Sequence, residues 1–109
     1  MRTNINNRDV RECVMRLEEF KTKTGSIFGE WNNYGTCFSV YSYSWHFPMY
    51  VWDATLQRWF GNSDMYNITT SKHQSIARPS DVHQWFSTKQ MKEIAVRGFT
   101  SLIVQRMTA

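Results

Sequence analysis

A chain of 109 residues has room for one hydrophobic core, so residues 1–109 are expected to form a single domain. Its two cysteines, Cys13 and Cys37, are too few and too far apart for a disulfide framework or a zinc ribbon. No apolar run approaches the ~18 residues that a membrane-spanning helix needs, and the N-terminus lacks the apolar segment of a secretion signal. We therefore expect a cytoplasmic protein with both thiols free.

Residues 8–23 carry the spacing of an amphipathic helix. Its apolar positions recur at i, i+3, i+4 and i+7; they are Val10, Cys13, Val14, Leu17 and Phe20. Asn7 can cap the start of the helix, Gly25 can end it, and Glu12 can pair with Arg16 one turn later. Because the apolar stripe predicts core packing, truncating Leu17 to Ala is expected to cost about 2–4 kcal/mol.

Residues 26–70 predict an antiparallel sheet. In its first strand an alternating pattern places four aromatic side chains on one face; they are Tyr41, Tyr43, Trp45 and Phe47. Phe38 and Val40 have the opposite parity, so the strand is either covered on both faces near its start or broken by a bulge. Pro48 then ends the strand or marks a sheet edge.

The next strands are predicted from turn chemistry. Residues 49–52 and 56–60 are two short apolar runs separated by three residues, which is the spacing of a hairpin. A second turn follows at residues 61–64, and Tyr66, Ile68 and Thr70 then alternate as another strand.

The last third of the chain predicts two helices. Ser71 and Gln74 fit a capping box, and the helix they open must be short because Arg78 precedes a proline. The pattern recurs at residues 87–90, and the second helix ends at Gly98 with an apolar side formed by Met91, Ile94 and Ala95. Residues 99–104 fit a strand or a helical extension equally well.

These elements predict an α+β domain. An N-terminal helix should pack on a small antiparallel sheet of three to five strands, with the helices on one side and a second helix near the C-terminus.

The sequence contains no pattern typical of catalysis or metal binding. Its histidines and cysteines lack the sequence spacing of zinc ligands, and no glycine-rich phosphate-binding loop is present. Ser71, His73 and Asp64 supply the residue types of a catalytic triad, but no nucleophile-elbow motif accompanies them. We therefore expect a protein without cofactor or metal that is not an enzyme.

Two groups of polar residues are candidates for contact with an anion or a partner. Ser71, Lys72 and His73 lie in a hydroxyl-rich turn, where they could either hold an anion at a helix start or serve only to cap the helix. Residues 68–109 hold six basic and two acidic side chains, which account for the whole net charge of +4. The basic candidates in this segment are Lys89, Lys92 and Arg97.

Aromatic residues make up 16% of the chain. They are either the core of a small domain or, in part, exposed anchors for a partner. Tyr41, Tyr43 and Trp45 are the candidates for aromatic contact.

Part of the chain resembles a group of small, functionally uncharacterised bacteriophage proteins. The resemblance covers about residues 37–95 and rests on Tyr41-Ser42-Tyr43, on Trp59 and Asn62, and on the block from Tyr66 to Ser75. It implies a phage origin and carries no activity onto any residue.

Small phage proteins without catalytic motifs often act by binding a host protein or nucleic acid, and the resemblance therefore implies two hypotheses. In the first, the chain is an accessory protein that inhibits or modulates a host protein or complex, for example as an anti-defence protein, with aromatic residues as anchors. In the second, it is a nucleic-acid-binding module that uses the basic last third and stacking aromatics. The basic residues are widely spaced along the last third of the chain, which favours the hypothesis of a protein partner over that of nucleic acid.

Overall fold

The computed structural model describes residues 1–64 and 67–102. The main elements within them, in chain order, are β1 (Arg2–Ile5), α1 (Asn7–Arg16), β2 (Phe20–Thr22), β3 (Ile27–Trp31), β4 (Cys37–Ser42), β5 (Pro48–Asp53), β6 (Arg58–Asn62), α2 (Ile68–Ala77), β7 (Val82–Phe86) and α3 (Thr88–Arg97). The α+β class predicted from the sequence is confirmed. None of the helices in this part of the chain has the length and apolar character needed to cross a membrane.

The strands form one mixed sheet whose spatial order is the chain order, β1 to β7. The pairs from β2 to β6 are antiparallel, whereas β1–β2 and β6–β7 are parallel. The prediction of an N-terminal helix packed on a small antiparallel sheet of three to five strands is therefore wrong, because the sheet is mixed, has seven strands and begins with β1 before the first helix. A parallel pair needs a crossover connection, and here α1 connects β1 to β2 and α2 connects β6 to β7.

Helix α1 is shorter than predicted. It begins after Asn6 and ends at Leu17, whose φ of 57° is left-handed, and the Glu18 N–H then donates to the carbonyl of Cys13. The prediction of one helix over 8–23 is wrong because Phe20 already belongs to β2. The core positions and the pairing of Arg16 with Glu12 at 3.3 Å are confirmed, although Leu17 is only half-buried.

The sheet has a hydrophobic core on each face. Helices α1 and α2 cover one face, where Val10 and Val14 pack with Tyr50 and Trp59. Helix α3 covers the other face through a separate cluster made by Cys37, Val51, Phe60, Phe86, Met91, Ile94, Ala95 and Leu102. The expectation that all helices lie on one side is wrong, because neighbouring residues of the central strands point to opposite faces and both sets are apolar.

Strand β4 does not contain the whole aromatic alternation that was predicted to form one strand face. All six of its residues are buried, and its pairing with β5 is irregular between Val40 and Tyr41. The strand ends at Ser42, because Tyr43 adopts a left-handed φ of 65°. Tyr41, Tyr43, Trp45 and Phe47 therefore do not share one strand face, and Pro48 starts the next strand instead of ending this one.

The predicted hairpin is confirmed as β5 and β6, with Trp52 opposite Trp59. The strand predicted through Tyr66, Ile68 and Thr70 is wrong for Ile68 and Thr70, which open α2, while Tyr66 lies outside the described residues. Helix α3 has the predicted capping box between Ser87 and Gln90.

Two segments of the last third were left open or unassigned by the sequence. Strand β7 was not predicted at all. Residues 100–102 are helical, and residues 103 and 104 lie outside the described residues.

Candidate functional site

An aromatic patch lies at the end of the sheet where β4 turns into β5. We define it by Phe28, Tyr41, Tyr43 and Trp45. The Phe28 ring stacks on Tyr41 with centroids 5.0 Å apart and meets Trp45 edge-on at 5.4 Å. Tyr41 is buried beneath the patch, whereas Tyr43 and Trp45 are 60% and 64% exposed. Two of the three predicted aromatic contact residues thus present their rings to solvent.

The exposed rings are held in place by the fold. The Tyr43 N–H donates to the Ser26 carbonyl at 2.8 Å, which stabilises the left-handed backbone at this residue. The Trp45 indole N–H donates to the Glu30 carboxylate. Anchors fixed in this way lose less conformational freedom when they bind a partner.

Tyr43 and Trp45 both line a cavity of about 290 Å³. Phe28 and Glu30 line it from β3, and Lys21 lines it from β2. The strand register places Lys21 of β2 opposite Phe28 of β3, and Phe28 opposite Tyr41 of β4. These three side chains therefore lie on the same face of the sheet, which is the face that α3 covers further along. Because α3 packs on β4, β5 and β6, the patch occupies the part of this face next to the helix.

His73 contributes to the structure beneath the patch. Its Nδ1 lies 2.7 Å from the Ser42 hydroxyl, and both residues are buried. Burial lowers the pKa of His73, so the ring is neutral at pH 7. Its ring also contacts Tyr43 at 5.1 Å, and the pair therefore joins α2 to the end of β4 under one of the exposed aromatic side chains.

The three polar candidates of the hydroxyl-rich turn do not converge. Helix α2 is capped by Asn67, whose side chain accepts from the Thr70 N–H, so the predicted capping box at Ser71 is wrong. The Ser71 N–H is already bonded to the Asn67 carbonyl. Successive helix residues point about 100° apart, which leaves Lys72 exposed while His73 faces the interior.

The three basic candidates of α3 lie on its solvent side. Lys89, Lys92 and Arg97 are exposed, while Met91 and Ile94 face the sheet. Arg97 pairs with Glu93 at 3.6 Å, whereas Lys89 and Lys92 form no ion pair with any described residue. The two lysines give the solvent side of α3 positive charge.

The described residues contain no cluster of three metal-ligating side chains. Both thiols are free, as predicted, and both are buried. Burial and the neighbouring Asp53 raise the pKa of Cys37 to about 11, and burial raises the pKa of Cys13. Because the thiolate is the reactive form, neither cysteine is activated at pH 7.

Sequence reasoning missed Phe28 and Glu30 as parts of the site, and Ser42 as the partner of His73. The cross-strand neighbours Phe28 and Tyr41 could have been found only from the β3–β4 register, which no motif in this sequence specifies. Comparisons with protein-family models, curated proteins and solved structures found no significant match to this chain.

Proposed function

We propose that this chain is a small phage accessory protein that binds a host protein or complex in the host cytoplasm and thereby inhibits or modulates it. It acts by binding and not by catalysis, and the aromatic patch is the contact surface. The observation that carries the proposal is the pair of exposed aromatic residues, Tyr43 and Trp45, that line one cavity.

Three features of the patch support a protein partner. Tyr and Trp are enriched among the residues that dominate binding energy at protein interfaces. Both rings are positioned before binding, by the Ser26 carbonyl and the Glu30 carboxylate. The cavity that both residues line could accept a side chain of the partner, since anchor residues at protein interfaces fill pockets of this kind.

The test compares three variants of the full chain in a pull-down from a bacterial host lysate. The double variant Tyr43→Ala/Trp45→Ala should lose the partner that the wild-type chain retains. Tyr34→Ala is the matched control, because Tyr34 is 78% exposed and lies outside the patch. Loss of the partner in the Tyr34 variant, or its retention in the double variant, would contradict the assignment of the patch.

Nucleic acid is the second candidate, and one observation favours it. The free lysines of α3 lie on the same side of the sheet as Phe28 and Trp45, so a single strand could meet both positive charge and stacking rings. On this hypothesis the variant Lys89→Ala/Lys92→Ala/Arg97→Ala should weaken binding to DNA or RNA and flatten its salt dependence. The favoured hypothesis expects little affinity for either at ~150 mM salt, where weak surface attraction is screened.

A further inference from the structure

A second cavity, of about 320 Å³, opens on the sheet face that α1 and α2 cover, away from the aromatic patch. We call it the tryptophan groove; its lining includes Trp52, Trp59, Met15, Leu17, Arg58 and Asp81. The two indole rings belong to a directly opposed pair of the β5–β6 hairpin and lie 5.7 Å apart. Its size falls within the range of small-molecule sites, which begins near ~300 Å³, and its lining combines the two tryptophans with apolar, polar and charged side chains.

The lining contains hydrogen-bond donors that the protein does not use. Trp59 is only 6% exposed, yet its indole N–H has no acceptor among the described residues, and neither has that of Trp52. No described buried side-chain nitrogen or oxygen lacks a partner, so the Trp59 N–H must still reach solvent. Trp59 is also one of the residues that line the groove. A buried indole N–H usually finds a partner, and here water or a bound ligand can accept from it.

The charged residues of the lining restrict the kind of ligand. The Arg58 guanidinium forms no ion pair within the described part of the chain, and Asp81 forms none either. Arg58 and the two tryptophans therefore line one cavity with side-chain donors that no described residue engages, while Asp81 disfavours a ligand of high negative charge. Met15 and Leu17 add apolar surface beside these donors.

We infer that the tryptophan groove binds a small monocarboxylate with an apolar side chain. Its carboxylate accepts from Arg58 and from the indole N–H groups of Trp52 and Trp59, and its apolar part packs against Met15 and Leu17. The same chemistry occurs in a free acyl amino acid and at the C-terminus of a peptide that ends in an apolar residue.

The test is a titration of the ¹⁵N-labelled full chain, with the indole N–H signals as the readout. N-acetylleucine should shift the signals of Trp52 and Trp59 and leave that of Trp45 in place. N-acetylleucinamide has the same apolar group without the carboxylate and should bind about tenfold more weakly, the scale of a lost charged hydrogen bond. A peptide ending in leucine, compared with its amide, separates the peptide source from the free acid: the source that binds at least tenfold more tightly is the natural one.

Two variants complete the test. Arg58→Gln should weaken binding of N-acetylleucine about tenfold, whereas Arg97→Gln, an equal loss of charge on the other face, should leave it unchanged. Trp59→Phe keeps an aromatic ring and removes the donor, and Arg58→Gln provides the same test at the groove if the Trp59 variant does not fold. Equal binding of acid and amide, insensitivity to Arg58→Gln, or no shift of either indole at about 10 mM ligand would overturn the inference.

Discussion

Gly29 lies where two buried rings meet, and replacing it with Ala tests the packing on the α1 side of the sheet. A Cβ at this position would lie 2.6 Å from Cε1 of Phe20 and 2.9 Å from Cζ of Phe38. Carbon atoms pack best at about 3.5–4.0 Å, so both contacts would be repulsive. Neither ring has any exposed surface into which it could move.

Two opposing terms set the size of the effect. Overpacking of a core costs about 1–3 kcal/mol, while replacing a strand glycine with Ala recovers about 0.5–1 kcal/mol of chain entropy. We expect Gly29→Ala to lower the free energy of unfolding by about 1–2 kcal/mol. Urea denaturation followed by circular dichroism measures this change.

A double-mutant cycle separates the steric cause from other causes. Phe20→Leu removes the ring carbon that the new Cβ would meet, so the double variant should be more stable than the sum of the single costs by about 0.5 kcal/mol or more. Val82→Ala, four strands away on β7, is the control and should be additive with Gly29→Ala. Additive costs for the Phe20 and Gly29 variants would refute the contact as the cause.

Two further predictions concern single side chains. Because Leu17 is half-buried at the end of α1, Leu17→Ala should cost about 1–2 kcal/mol, less than the helix interpretation expected, and the exposed Lys72→Ala should cost less than about 0.5 kcal/mol in the same denaturation assay. Equal losses would contradict the burial of Leu17. The pKa of His73 is lowered in the folded state, so the unfolded chain binds the proton more tightly and stability should fall as the pH drops below about 6.5. The variant His73→Asn should lose less stability between about pH 7 and pH 5 than the wild-type chain, and an unchanged slope would exclude His73 as the group responsible.

The sequence by itself determined the elements whose signals are local. The capping box at Ser87 and the stripe through Met91, Ile94 and Ala95 specify α3, because a helix of this kind needs only neighbours three and four residues away. Two short apolar runs separated by a turn likewise specified the β5–β6 hairpin, and the stripe through Val10 and Val14 specified the buried side of α1.

Only the tertiary structure decided the state of residues 68–77. Ile68 and Thr70 fit a strand by alternation, yet they begin α2, whose buried positions are Thr70, His73 and Ala77. A helix with so few apolar residues is stabilised by what it packs against, here α1 and β4, and no local pattern encodes those neighbours.

Neither the parallel strand pairs nor the exposed surfaces follow from local sequence patterns, because both depend on contacts between distant parts of the chain. β1 and β7 pair with strands reached through a helical crossover, so their partners depend on contacts distant in sequence. The composition gives the number of aromatic residues, but the burial of each side chain depends on which face of the sheet it lies on and on what covers that face. The sequence could therefore name Tyr41, Tyr43 and Trp45 as candidates, whereas the fold buried the first and exposed the other two.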